Sequence, residues 1–408
     1  MFFAFIIRLN KKVVDLSHIK TFVVVGAGTM GREIAQVALM SNLFEKVILN
    51  DINENALITA EKYIIKGLEK IESKGKLSQG LTTESLNKKL FTTKNLITSI
   101  KESDFVVEAI PEVMELKQDL FKELGEYAPE HAVLATNTST MSISKIAEAS
   151  NRPEQVIGMH FFTPIPLLRL IELIKGEKTS QEAFDIGVAI GQKLPALKGK
   201  RYIAKIEKES PGFIVNRLTI ATTLLFNWIL DMATDKGIPY EKIDNDFVSP
   251  PELGPLAKWD FLGLDVICDV MNYFVKEISP EFAPGKTLTN LLKEGNLGRK
   301  TGKGIYEWDE RKPNIKTNEK AGLFNPEQYY AIQLNEGCRL LEEEIVSGYK
   351  IIDDTMLAGM DMPGPFGAGK KNYEKWSQML NDLVKTTQIN YFKPCDMMKS
   401  GKFLNFKK

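Results

Sequence analysis

The sequence predicts a mostly parallel, doubly covered β-sheet followed by a helical region in which one unit occurs twice. Three observations predict it. Short apolar runs alternate with helical patterns through the first half of the chain. A glycine turn joins the first such run to an amphipathic helix. A segment near the C-terminus echoes another about 110 residues earlier.

With 408 residues the chain has room for two or three domains. Hydrophobic residues at 43% and charged residues at 26% describe an ordinary soluble globular protein. Fifty-three basic residues balance 53 acidic ones. Overall charge therefore gives no reason to expect nucleic acid or a membrane surface as partner. Cys268, Cys338 and Cys395 lie far from any metal-ligand spacing. They fit a reducing, cytoplasmic compartment and packing roles, with no metal expected. "MFFAFIIRLNKK" is apolar and then basic, the reverse of a secretory signal, and too short to span a bilayer. Residues 1–18 are read as an N-terminal extension.

The elements follow in order. "TFVVVGAGTMGREIAQVALM" (Thr21 to Met40) reads as buried strand, glycine turn and helix. "KVILND" is a second buried strand, and "NENALITAEKYIIKGLEKIESKGKL" a long helix with a basic tail. "DFVVEAI", "AVLATN" and "VIGMHFF" are further strands with helical patterns between them. Continuous apolar strands separated by helices indicate a sheet covered on both faces, here assigned to residues 19–207. At "ESPGFIVNRL" the character turns helical, with Ser210 as N-cap and Pro211 at the first helical position. "DKGIPYEKIDNDFVSPPELGPLA" is then echoed by "VSGYKIIDDTMLAGMDMPGPFGA": Gly237 matches Gly348, Asp244 matches Asp353, and Gly254-Pro255 matches Gly364-Pro365. Two copies are expected, at 208–312 and 320–408, each burying one face against its twin.

Gly26, Gly28 and Gly31 form G-x-G-x-x-G, with Thr29 and Met30 between the last two. The first glycine permits the turn, the second lets a pyrophosphate approach the backbone, and the third lets helix and strand pack closely. Asp51 ends the next strand, 20 residues after Gly31, where a carboxylate accepts hydrogen bonds from ribose hydroxyls and repels a 2′-phosphate. The pattern predicts a Rossmann-type domain that takes NAD in preference to NADP.

"VIGMHFFTPIPLLRLIELI" places His160 and Glu172 in two apolar strands. A link interrupted by Pro164 and Pro166 is too short for a parallel crossover, so the strands run antiparallel. With the turn near Pro166, His160 opposes Glu172, bringing their Cβ atoms within ~5.5 Å. The carboxylate would fix the imidazole tautomer, which suits a general base; a buried structural ion pair is the rival reading. Ser139 lies just past the carboxyl end of an apolar strand, where ligands of open sheets bind, and Asn216 near the start of the first C-terminal helix. Each could hydrogen-bond a substrate oxygen, or be a plain turn serine and helix-surface asparagine.

These stretches, with "NTST", "GMHFFTPIP" and "LGRKTGKGIYEW", resemble the L-3-hydroxyacyl-CoA dehydrogenase family from about Ile19 to Phe406. The resemblance implies reversible, NAD-dependent oxidation of (S)-3-hydroxyacyl-CoA to 3-ketoacyl-CoA, with 3-hydroxybutyryl-CoA among the candidate substrates. By the same resemblance His160 is the base, Glu172 its orienting partner, and Ser139 and Asn216 the substrate contacts. Glu108, Lys117 and Lys300 fall where the family touches the cofactor. Lys74 falls where it contacts coenzyme A phosphates, although a solvated lysine reads equally well. Thr163 stands where the family has asparagine near the nicotinamide ribose, which is expected to affect cofactor affinity more than catalysis. Family members with one helical copy pair as dimers through it. A chain with two copies is expected to pack them against each other as a monomer, or else to form a homodimer. Glu327 stands in the second copy where Asn216 stands in the first, which marks that copy as structural. The chain ends at "GKFLNFKK", so no hydratase activity is expected. The rivals are a related hydroxyacid or sugar-acid dehydrogenase and a non-catalytic, crystallin-like protein.

Overall fold

The structure is a computed structural model that describes residues 14–248, 252–310, 312–315 and 317–407; residues 1–13 of the expected N-terminal extension lie outside the described residues. The chain divides into two compact units. One runs through Thr138 and takes in Ile143–Lys205, and the other comprises Ser139–Ser142 and the chain from Ile206 onward.

The first unit is built on eight strands: β1 (Thr21–Val25), β2 (Lys46–Asn50), β3 (Leu90–Thr93), β4 (Phe105–Glu108), β5 (Val133–Thr136), β6 (Val156–Phe161), β7 (Leu170–Lys175) and β8 (Tyr202–Ile206). Their spatial order is β3-β2-β1-β4-β5-β6-β7-β8. Pairing is parallel from β3 across to β6, and β6–β7 is antiparallel. Consecutive residues of β4, β5 and β6 are all buried, and successive side chains point to opposite faces, so the sheet is covered on both sides. Its core draws Phe22, Val24, Val107 and Ile157 from strands and Ile34, Val37 and Leu57 from two helices, α1 (Thr29–Ser41) and α2 (Glu54–Glu72). The order reverses at β1, whose neighbours are β2 and β4, and an open α/β sheet places its ligand crevice at such a switch point.

Three local expectations differ from the structure. The long helix of the basic tail stops at Glu72, and the chain turns at Gly75 with φ 63°. The helix expected from Pro211 begins at Val215, because Gly212 (φ 74°) and Phe213 (φ 53°) are left-handed and cannot belong to a right-handed helix. Ser210 therefore caps no helix; its Oγ accepts from the Arg217 guanidinium. The edge strands β3 and β8 were not expected, since both are partly exposed and lack a continuous apolar run.

The second unit is helical. One run comprises helices Val215–Lys236, Tyr240–Phe247, Pro255–Leu262, Leu264–Glu277 and Lys286–Lys293. Another comprises Pro326–Glu342, Tyr349–Met360, Pro365–Thr387 and Asp396–Ser400. In each, a Gly-Pro pair opens a helix whose first N–H groups are taken by an aspartate of the preceding helix. Asp244 accepts from the Leu256 and Ala257 amides at 2.9 Å, and Asp353 from the Phe366 amide at 3.0 Å. A Cβ at Gly254 or Gly364 would lie 2.3 or 2.1 Å from the aspartate, which is why glycine stands there.

Candidate active site

The glycine loop follows β1 directly. Gly26 takes φ 106°, and a Cβ there would sit 2.5 Å from the Ala109 carbonyl oxygen beyond β4. A Cβ on Gly31 would collide with the Gly26 carbonyl at 1.7 Å, whereas one on Gly28 would meet nothing within 4 Å. The first and third glycines are thus required by packing, and the second faces open space where an anion can approach the start of α1. Thr29 and Met30 open that helix, whose cap at Gly28 carries no side-chain hydrogen bond. Asp51 Oδ2 accepts from the Ala27 amide at 2.7 Å and Oδ1 from the Asn53 amide at 2.8 Å. These bonds hold the carboxylate at the carboxyl end of β2 beside the loop, the arrangement a dinucleotide's ribose and pyrophosphate require.

The β6–β7 register pairs His160 with Glu172, as the short turn predicts. The His160 Nδ1 lies 2.7 Å from Glu172 Oε2, with both side chains buried. A carboxylate only accepts, so Nδ1 is the ring nitrogen that donates in this contact. The Phe162 ring lies 4.4 Å from the imidazole, centroid to centroid. The end of β6 is also tied to the end of β5, where Asn137 Oδ1 accepts from the Phe161 amide at 2.9 Å.

Glu108, at the end of β4, is fully buried and meets the buried Lys117 ammonium at 2.6 Å. It also accepts from the Ile110 amide at 2.8 Å and from the Thr136 hydroxyl at 2.6 Å. Glu112 lies 3.1 Å from the same ammonium and accepts from Thr138 Oγ1 at 2.6 Å. Burial alone would push Lys117 down, but Glu108 and Glu112 outweigh it and hold its pKa above the ordinary value. The network braces the carboxyl ends of β4 and β5, the rim where a sheet of this kind receives its ligand.

Ser139 and Asn216 come together in the second unit, where Asn216 Nδ2 donates to the Ser139 carbonyl at 3.1 Å. Asn216 is in the first turn of its helix. Lys300 belongs to the same unit, is exposed, and pairs with Asp265. Lys74 is exposed in the turn after α2. Thr163 is exposed in the β6–β7 connection, and its hydroxyl donates to Glu33 at 3.1 Å. Sequence reasoning missed Glu33, Glu112, Thr136, Thr138 and Arg201, each of which has at least one partner more than 20 residues away in the chain. For Glu112 the spacing from Lys117 within "PEVMELK" was the available signal. Among the described residues no group of side chains could hold a metal ion, and no helix is long and apolar enough to cross a membrane.

Residues 21–201 match the family described as 3-hydroxyacyl-CoA dehydrogenase, NAD binding domain, and residues 212–308 match its C-terminal domain. A 3-hydroxybutyryl-CoA dehydrogenase of Clostridioides difficile is 33% identical over 290 residues, covering 70% of this chain and 99% of its own length. The fatty acid oxidation complex subunit alpha of Shewanella baltica is 31% identical over 94% of this chain, which spans 55% of that longer protein. The crystal structure of 3-hydroxybutyryl-CoA dehydrogenase from Escherichia coli K12 shares the fold with a TM-score of 0.78, covering 95% of this chain and 98% of its own at 24% identity.

Proposed function

The chain belongs to the 3-hydroxyacyl-CoA dehydrogenase family, NAD-dependent oxidoreductases, and from that premise we propose that it oxidises the C3 hydroxyl of (S)-3-hydroxyacyl-CoA thioesters, reversibly, with His160 as the base. The observation that carries the reading is the buried 2.7 Å contact between His160 Nδ1 and Glu172. It leaves Nε2 as the nitrogen that accepts the hydroxyl proton as hydride departs from C3. Glu172 orients the ring and, once the imidazole is protonated, offsets its charge. Bound NAD supplies the hydride acceptor.

The remaining roles follow the same reading. Gly26, Gly28, Thr29, Met30 and Gly31 cradle the pyrophosphate, Asp51 holds the adenosine ribose, and Glu108, Lys117, Thr163 and Lys300 serve the cofactor. Ser139 and Asn216 hydrogen-bond the substrate oxygen, and Lys74 meets coenzyme A phosphate. The names of the curated relatives favour a four-carbon thioester, 3-hydroxybutyryl-CoA, within the class.

The helical runs at 208–312 and 320–408 are read as two copies of one unit. Support comes from the matched aspartate caps and Gly-Pro helix starts, and from Phe282-Ala283-Pro284 recurring as Phe392-Lys393-Pro394. Glu327, the counterpart of Asn216, is half-buried and pairs with Lys375 at 2.6 Å, which suits a copy without a substrate role. Two such copies in one chain make a monomer the expected state, and a stable two-fold dimer in light scattering would contradict it.

The decisive assay follows NADH absorbance with acetoacetyl-CoA and then with longer 3-ketoacyl-CoA substrates. Thioester-dependent NADH consumption is expected, with kcat/KM against chain length defining the substrate. No consumption with any of them would overturn the reading.

A further inference from the structure

Glu33 is a buried carboxylate that the glycine motif does not require. It lies on α1 two residues past Gly31 and is 4% exposed. Its Oε1 accepts from the Tyr63 hydroxyl at 2.9 Å. Its Oε2 accepts from the Thr163 hydroxyl at 3.1 Å and from the Ile165 amide at 2.7 Å. Thr163 and Ile165 lie in the β6–β7 connection, three and five residues after His160. The other side of that connection is held by Arg201, a buried guanidinium that donates to the carbonyls of Ile165, Leu168, Leu194 and Pro195. The buried Ile165 therefore has its N–H fixed to the dinucleotide helix and its C=O fixed by Arg201. Tyr63 is braced in turn by the Arg32 guanidinium, 4.1 Å from its ring centroid.

The chemistry at Thr163 follows from what a carboxylate can do. It has no hydrogen to give, so the Thr163 hydroxyl commits its single proton to Glu33 and keeps only lone pairs for anything else. A threonine alone could rotate to donate or to accept; Glu33 removes that choice. The connection follows the carboxyl end of β6, on the rim where ligands of such sheets bind. We propose that Glu33 is a positioning residue for the nicotinamide half of the cofactor: it fixes Thr163 Oγ1 as an acceptor for a hydroxyl of the nicotinamide ribose and sets the turn after His160 against the glycine-loop helix. The inference rests on the reading of Thr163 as a cofactor contact.

The test measures dissociation constants for NADH, and for ADP, which lacks the nicotinamide ribose, in the full chain without thioester. Glu33→Ala and Thr163→Val are each expected to weaken NADH binding about 5- to 10-fold, the effect of one lost hydrogen bond, with ADP binding unchanged. Their combination should be little worse than either alone, because they remove one linked contact. Glu33→Gln should recover most of the affinity, since its Oε1 can take both Oε2 bonds while its amide donates to Tyr63. Wild-type NADH affinity in Glu33→Ala, equal loss of ADP binding, or full additivity would overturn the proposal. Thr163 is exposed, so Thr163→Val keeps the fold even should Glu33→Ala not, and wild-type NADH binding in it is by itself sufficient to refute the idea. Because no acyl-CoA enters these measurements, a failure of the substrate reading would show in the turnover assay and not here.

Discussion

Two buried acid–base contacts in this molecule have nearly the same geometry and, in the proposed mechanism, opposite uses. In the sheet unit Glu172 meets His160, with side chains 0% and 5% exposed. In the helical unit Glu336 meets Arg217, at 1% and 2%. Glu336 also binds Arg339 at 2.7 Å and accepts from the Tyr391 hydroxyl at 2.9 Å, and Arg217 reaches on to Glu343 at 2.8 Å. Burial works to raise the Glu336 pKa, but the two guanidiniums outweigh it and hold it below the ordinary carboxylate value. A guanidinium does not release its proton in the working pH range, so that cluster ties helices together and does not move a proton. An imidazole can both take and release one. Burial and pairing therefore do not mark a catalytic group; the titration range of the partner does.

The sharpest way to break the comparison is to remove each function in turn. His160→Gln is expected to cut turnover ~10²–10⁴-fold, the cost of a lost general base, while NADH affinity and the urea midpoint stay close to wild type. Glu336→Gln should do the reverse. Removing the charge of a buried cluster partner costs about 3 kcal/mol, visible as a lowered urea midpoint, with turnover per folded molecule near wild type. A His160→Gln protein that lost stability but kept its turnover would make the two contacts the same kind of thing.

The pairs also differ in how far they could be read from sequence, and the reason is chain distance. His160 and Glu172 are 12 residues apart across a short turn, and a tight antiparallel connection leaves one register. Arg217 and Glu336 are 119 residues apart, and Glu33 and Thr163 130, on elements whose meeting is decided by packing. The glycine loop was readable because its three constraints fall within six residues. The start of the helix at Val215 was not, because the left-handed backbone at Phe213 has no side-chain signature.

A smaller effect separates two carboxyls within the helical unit by pH. Burial pushes the Asp244 carboxyl up to about 6 from an ordinary 3.8, although it accepts from two amides and the Tyr306 hydroxyl. Its folded value lies above its unfolded one, so its contribution to stability is greatest below 3.8 and declines as pH rises to about 6. Glu336 has the opposite sign: its contribution is present above its unfolded value of 4.5 and is lost as pH falls. Going from pH 7 to pH 5, the stability of wild type relative to Asp244→Asn should therefore grow by about 1 kcal/mol, read as a widening gap in melting temperature. A constant gap would mean that Asp244 does not titrate in that window.

The least effect is expected where the two helical runs carry different residues at one position. Asn216 and Glu327 are each the second residue of a long helix. Asn216 reaches the Ser139 carbonyl, and in the proposed mechanism it also touches substrate, so Asn216→Ala should lower kcat/KM about tenfold, as one lost hydrogen bond does. Glu327 has only a solvated pairing with Lys375 and a place in the first turn of its helix, where a negative charge is mildly favourable. Such a surface pair contributes about 0–1 kcal/mol, so Glu327→Ala should shift the melting temperature slightly and leave kcat/KM unchanged. On the reading of the two runs as copies of one unit, stability preserves the packing face of both, but a polar residue that does not meet substrate is free to become a surface charge. A loss of kcat/KM in Glu327→Ala comparable to that in Asn216→Ala would mean that the second run had not been released from the chemistry.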